Sequence, residues 1–149
     1  HRSVSEDFPC NPRSYYGCNK LASEKLIQVY SQNTAIDYTI FRLFNVYGPG
    51  QNMCNMRQGM VSIYLAYISK NLPVCVKGSL ARFRDFIYID DVVDVFLKCE
   101  LNTGAYNNIF NLGTSVRTTV GKLLRLIVKI YKKSNFSDWV FAIASNAIS

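Results

Sequence analysis

The sequence predicts an α/β protein. Segments rich in β-branched and aromatic residues alternate along the chain with segments whose apolar positions recur at helical spacing, and that alternation is the signature of the class. Nearly half of the 149 residues are apolar and fewer than a fifth are charged, a globular balance with enough chain for a core. No internal repeat and no low-complexity tract is present, so solenoid and disordered classes are set aside.

Residues 1–14 carry Pro9, Pro12 and several polar side chains and read as loop. From Tyr15 to about Gln32 there is no proline. Leu21, Leu26, Ile27, Val29 and Tyr30 recur at helical intervals, and Ser14 is a suitable N-cap. "AIDYTIFRLFNV" (35–46) predicts a buried strand and "YGPGQN" (47–52) a loop. "RQGMVSIYLAYISKN" (57–71) predicts an amphipathic helix, "PVCV" (73–76) a short strand entered through Pro73, and "FRDFIYI" (83–89) a further strand. Asp90 is placed to cap the helix "DVVDVFLKCEL", whose first turn holds acids where the helix dipole favours them. "NIFNLG" (108–113) predicts a strand. "TTVGKLLRLIVKIYKK" (118–133) predicts a helix capped by Thr118 or Thr119, with Lys132 and Lys133 at the end where cations are favoured. The tail "SNFSDWVFAIASNAIS" is apolar without a clear period.

The net charge of +7 suits an anionic partner. Lys132–Lys133 is the only basic doublet, so a solvated basic surface or a small phosphorylated ligand is expected before nucleic acid. Cys10, Cys18, Cys54, Cys75 and Cys99 form no C-x-x-C, and the one histidine is His1, so no metal site is expected and the cysteines read as reduced, as in a cytoplasmic protein. No stretch is long and apolar enough for a membrane span, and no secretory signal is visible. The chain opens on His1 rather than methionine, and the expectation is a processed protein or a piece of a longer one.

Tyr16 and Lys20 stand four apart, so a helix presents them on one face. A phenol ordinarily titrates near pH 10, and an ammonium nearby favours its ionised form. Facing a cleft, such a pair can take a proton from a hydroxyl while a hydride leaves the same carbon. With ten tyrosines in the chain the spacing alone is weak, and an exposed pair on a helix surface is the alternative.

Three blocks in order, "YYGCNKLASEK", "YTIFRLFNVYGPGQN" and "RFRDFIYIDDVVDVF", followed by "YNNIFNLGTSVRTTVGKLLRLI", resemble the NAD-dependent epimerase/dehydratase family, the extended short-chain dehydrogenase/reductases. The resemblance runs from about Pro9 to Lys133. "FNVYGPGQ" and "RDFIYIDDV" look most like the UDP-glucose 4-epimerase group and its relatives in bacterial surface-polysaccharide biosynthesis; the 4,6-dehydratase branch usually carries a tryptophan after its Arg-Asp.

The resemblance implies the C-terminal half of a Rossmann-like parallel sheet fold plus the smaller substrate-binding α/β subdomain. Residues up to about 47 would end the NAD-binding part, and about 48–149 would be mostly substrate-binding. It implies Tyr16 as acid/base and Lys20 as the residue that holds the nicotinamide ribose and keeps the phenol acidic. Phe44 would lie near the nicotinamide, Asn45 would reach the substrate diphosphate, Arg84 would clamp that diphosphate, and Val74 and Val76 would line the nucleobase pocket. The alternatives are a turn role for Asn45, a surface ion pair of Arg84 with Asp85 or Asp90, plain core for the valines, and helix capping for Asp90 and Asp91.

The implied activity is NAD-dependent 4-epimerisation of a nucleotide sugar, with UDP-hexose as substrate and a homodimer as the full-length state. A dehydratase or reductase of the same family, and a non-catalytic remnant, are the other readings. The sequence departs from the family's pattern in four places. It contains neither the glycine-rich phosphate loop nor the Ser/Thr that precedes the tyrosine. "KGSLARFRDF" has Leu80 where a glycine is usual, and the R-x-G-D segment is not intact, with Asp138 as its only echo. A parallel sheet cut through its middle exposes an edge and an apolar face, so the chain alone is expected to be poorly stable and unable to hold NAD.

Overall fold

The computed structural model describes residues 4–54 and 59–131. Helix α1 covers Tyr15–Gln32, and the Ser14 side chain accepts from the Gly17 N–H at 3.1 Å, the predicted cap. The predicted strand over 35–46 forms as two short ones, β1 (Thr39–Leu43) and β2 (Asn45–Tyr47), interrupted at Phe44. Only Tyr47 of the two is fully buried, so the expectation of a buried strand is corrected to a half-buried one.

Helix α2 covers Met60–Ser69, directly after Gly59, whose φ of 78° suits glycine. Arg57 and Gln58, the predicted start, lie outside the described residues.

No strand forms at 73–76, a second correction. Val74 and Val76 turn inward and Cys75 outward, the alternation of an extended segment, but no ladder partner lies beside them among the described residues.

The predicted strand at 83–89 breaks at Asp85 into β3 (Phe83–Arg84) and β4 (Phe86–Tyr88) because the two halves pair with different neighbours. Helix α3 covers Ile89–Glu100. Asp90 therefore sits in its first turn with Asp91 rather than at the cap, still at the end where the dipole favours carboxylates. A short 3-10 turn at Thr103–Ala105 leads to β5 (Asn108–Leu112). Thr118–Thr119 form β6, so helix α4 starts later than predicted, at Val120, and runs to Tyr131. The Thr119 hydroxyl accepts from the Lys122 N–H at 3.1 Å, as a capping threonine does. Lys132, Lys133 and Asp138 lie outside the described residues.

The chain forms two compact units. The first takes residues up to Leu43 together with Asp94–Leu112. Here β1 pairs with β5 in parallel, Phe41 opposite Phe110, and Phe41 stacks on Phe96 with ring centroids 4.6 Å apart. Arg42 ties β1 to α1 through a bidentate hydrogen-bonded ion pair with Glu24 at 2.8–3.3 Å. That pair holds the Arg42 guanidinium above its usual range, the Glu24 hydrogen bond being the largest cause. Helix α1 buries no residue fully, and Leu26, Ile27, Val29 and Tyr30 stay exposed.

The second unit takes Phe44–Val93 and Gly113 onward. Its core is a cluster of Tyr47, Val61, Tyr64, Leu65, Phe86, Tyr88, Val120, Leu123, Ile127 and Ile130, where α2 and α4 pack on β2 and β4. β2 pairs with β4 in parallel, Asn45 opposite Phe86, and β3 pairs with β6 antiparallel, Arg84 opposite Thr118. Val74 and Val76 pack against the same cluster. All five cysteines are free, no helix among the described residues is long and apolar enough to cross a membrane, and none of these residues forms a cluster suited to a metal ion.

Candidate functional site

In the first unit, the helical register places the Lys20 ammonium 5.5 Å from the centroid of the Tyr16 ring. Tyr16 is 71 % exposed. Among the described residues neither its hydroxyl nor the Lys20 ammonium has a hydrogen-bond or carboxylate partner, so both are open to a ligand. A hydroxyl and an ammonium on one open helix face form a donor set that fits a ribose diol. The rest of a dinucleotide finds no G-x-G-x-x-G in this chain. An open cleft of this unit is lined by Thr39, Phe41, Phe96, Cys99, Glu100 and Tyr106 and contains none of the predicted residues.

In the second unit, the backbone between β3 and β4 organises three of the predicted residues. The Asp85 carbonyl accepts from both the Asn45 N–H at 3.2 Å and the Asn45 side-chain amide at 2.8 Å. That fixes the orientation of the Asn45 amide and leaves its second N–H free to donate. The Asp85 carboxylate turns the other way. It accepts from the Thr114 N–H at 3.0 Å, the Thr114 hydroxyl at 2.7 Å and the Ser115 N–H at 2.8 Å. Ser115 has a φ of 61°, and those bonds hold it in that sparsely populated conformation.

Gly113 fits between Asp85 and Phe44. A Cβ there would come within 2.7 Å of the carboxylate and 2.8 Å of the Phe44 ring. Phe44 and Asn45 are thus held from below by Asp85 and Gly113, while Phe44 keeps its ring partly open.

Arg84 does not pair with Asp85, whose carboxylate is committed to the 114–115 turn, nor with Asp90. Its guanidinium donates only to the Phe83 carbonyl, at 2.8 Å, and is otherwise without a partner among the described residues. Arg117 lies 3.7 Å over the Phe83 ring. Tyr47 and Tyr88 face the core rather than a cleft. Burial, with Asp91 and Tyr88 adding, pushes Tyr47 up to about 12, and burial with Asp90 and Asp91 also pushes Tyr88 up. Neither is suited to proton transfer near neutrality.

The structure thus brings Tyr16 and Lys20 together on α1, and Phe44, Asn45 and Arg84 together around Asp85. Val74 and Val76 are half-buried against the core. Sequence reasoning missed Asp85 and Gly113 as supports. The visible signal was a Gly-Thr-Ser directly after a strand, the composition of a turn that needs an acceptor.

The NAD dependent epimerase/dehydratase family model matches residues 1–113. A dTDP-4-dehydro-6-deoxyglucose reductase of Escherichia coli is 33 % identical over 147 residues, 97 % of this chain and 46 % of that protein. A putative UDP-glucose 4-epimerase of Methanocaldococcus jannaschii is 36 % identical over 124 residues, 83 % of this chain and 39 % of that protein. Among solved structures, the UDP-glucose 4-epimerase of Thermotoga maritima with UDP-glucose matches at a TM-score of 0.75 and 32 % identity, covering 84 % of this chain and 40 % of that one. The UDP-glucuronic acid 4-epimerase of Bacillus cereus, in complex with UDP-glucuronic acid and NAD, matches at 0.80 and 29 %, covering 90 % and 42 %. The chain spans less than half the length of these relatives. The mixed α/β fold with parallel strand pairs, the order of the sequence blocks and a family match over most of the chain agree: it belongs to the NAD dependent epimerase/dehydratase family.

Proposed function

We propose that the chain is part of a nucleotide-sugar 4-epimerase acting on a UDP-hexose. The observation that carries this reading is the open Tyr16–Lys20 pair: a phenol and an ammonium on one helix face, with neither side chain engaged elsewhere among the described residues. Tyr16 takes the proton of the sugar C4 hydroxyl and later returns it. Lys20 donates to the nicotinamide ribose, and Phe44 lies along the ring. NAD, when bound, supplies a hydride acceptor and donor for the C4 carbon. Asn45 donates its free amide hydrogen to the diphosphate, Arg84 grips the same group through its fork of donors, and Val74 and Val76 contact the nucleobase. Residues to about 47 serve the cofactor part and about 48–149 mostly the substrate part.

Relatives that are 4-epimerases, including structures with UDP-glucose or UDP-glucuronic acid, support the epimerase assignment. Phe86, where dehydratases usually carry tryptophan, favours it as well. A reductase reading has its own support in the match to the Escherichia coli reductase over nearly the whole chain. A cytoplasmic homodimer working in polysaccharide biosynthesis completes the proposal.

The test is incubation of the full-length enzyme carrying this chain with UDP-glucose and NAD, with products followed by proton NMR of the sugar anomeric region. UDP-galactose formation that Tyr16→Phe abolishes supports the epimerase. Release of water to a 4-keto-6-deoxy sugar would mean a dehydratase instead, and no turnover of any nucleotide sugar would leave the remnant reading standing.

A further inference from the structure

Arg82 is the one arginine of the second unit whose guanidinium is both partly enclosed and unpartnered among the described residues. Its Nε is out of contact with solvent and has no hydrogen-bond partner. The enclosed Nε pins the side chain, and the Nη groups, which are neither sealed off nor hydrogen-bonded among the described residues, are the donors left for an outside partner. Its backbone continues the β3–β6 ribbon: the Arg82 carbonyl accepts from the Val120 N–H at 2.8 Å, one step beyond Phe83 opposite Thr119. Residues two apart on an extended segment share a face, so Arg82 and Arg84 project from the same side, away from the Phe83–Arg117 stack. No carboxylate pairs with either one among the described residues.

Gly78, with a φ of 90°, lets the Arg82 guanidinium lie against the turn below it. A Cβ at that glycine would come within 3.3 Å of the Arg82 Nη1. The neighbouring start of α4 is closed to anions, because the Val120, Gly121 and Lys122 N–H groups already donate to the Arg82 carbonyl, the Leu80 carbonyl and the Thr119 hydroxyl. Two like charges on one face with no carboxylate partner among the described residues attract an anion, and two guanidiniums match a group with two charged centres better than one with a single centre.

We propose that Arg82 is a second diphosphate-binding residue, taking one phosphate of the nucleotide while Arg84 takes the other. The assignment rests on the reading of Arg84 as the diphosphate clamp. Arg82 stands two residues before that clamp, and the phosphate would meet its Nη groups, the Nε being enclosed.

The test is titration of the 15N-labelled full chain with inorganic pyrophosphate, following the arginine Nε–Hε resonances assigned through Arg82→Lys and Arg84→Lys. Saturable shifts at both arginines are expected, with pyrophosphate bound about tenfold more weakly in Arg82→Lys. A shift at Arg84 alone overturns the role of Arg82 and leaves the clamp reading intact. A shift at Arg82 alone overturns the shared diphosphate site, because Arg84 then takes neither phosphate. Silence at both overturns both assignments, and equal affinity for orthophosphate and pyrophosphate overturns the two-centre match. If a variant fails to fold, through-bond spectra linking each Nε–Hε to its own backbone amide assign the wild-type resonances instead, and the wild-type titration decides the matter.

Discussion

Asp85→Ala removes the acceptor that holds the 113–115 turn in place. Three hydrogen bonds to a carboxylate are lost, from the Thr114 N–H, the Thr114 hydroxyl and the Ser115 N–H, at 2.7–3.0 Å. A bond to a charged group contributes about 1.5–3 kcal/mol. Ser115 is exposed and regains water, so its share is small; Thr114 is half-buried and keeps most of its loss. Release of Ser115 from its positive φ returns a little. The expected cost is about 2–4 kcal/mol, within the range for breaking a buried network. Asp85→Asn keeps one acceptor without the charge and should lose roughly half as much.

The assay is urea unfolding followed by far-ultraviolet circular dichroism, with UDP affinity measured on the same samples. UDP binding should weaken in Asp85→Ala as well, since the Asp85 carbonyl orients the Asn45 amide and the alanine backbone is no longer anchored. An Asp85→Ala protein within about 0.5 kcal/mol of wild type, the size of an ordinary surface change, would refute the claim that this carboxylate holds the site together.

In the full-length enzyme Tyr16→Phe should lower turnover by roughly two to four orders of magnitude while leaving UDP-sugar affinity nearly unchanged, because the hydroxyl serves proton transfer rather than binding; steady-state rates and a binding titration check both halves. In the intact enzyme Arg84→Lys should weaken UDP by about 1–3 kcal/mol, as a point charge replaces a bidentate fork, and calorimetry reads it directly; a change of a few tenths would mean a surface role. The 149-residue chain should bind NAD too weakly for a calorimetric titration to detect, since it has no glycine-rich turn for the pyrophosphate. Tyr47 is held neutral in the fold up to about pH 12, while an unfolded tyrosine ionises near 10. Its stability contribution is therefore complete below pH 10 and falls between 10 and about 12, by about 1.4 kcal/mol per pH unit. Unfolding free energies measured across that window should flatten in Tyr47→Phe, with Tyr88 leaving a residual slope.

The local elements were legible wherever one segment carried its own signals. Helix α1 begins at Tyr15 and ends at Gln32 as the proline-free run and the Ser14 cap require, and the 108–112 strand and the α4 helix follow from their own periods. The alternation of such segments determined the α/β class, and the joint order of the Tyr16, Asn45 and Arg84 blocks determined the family, because those signals are carried by residues near in sequence. Pairing was not legible. Whether 35–46 and 83–89 are one strand or two depends on which neighbour each half meets, and Phe44 and Asp85 are the points where the partner changes. The "PVCV" segment has the composition and alternation of a strand, yet without a ladder partner among the described residues it remains an extended connection. Only the tertiary structure decided where charges find their counter-ions. Asp85, one residue from Arg84, spends its carboxylate on a turn 29 positions away, and that long-range hydrogen bonding leaves the arginine of the candidate site without a carboxylate partner among the described residues.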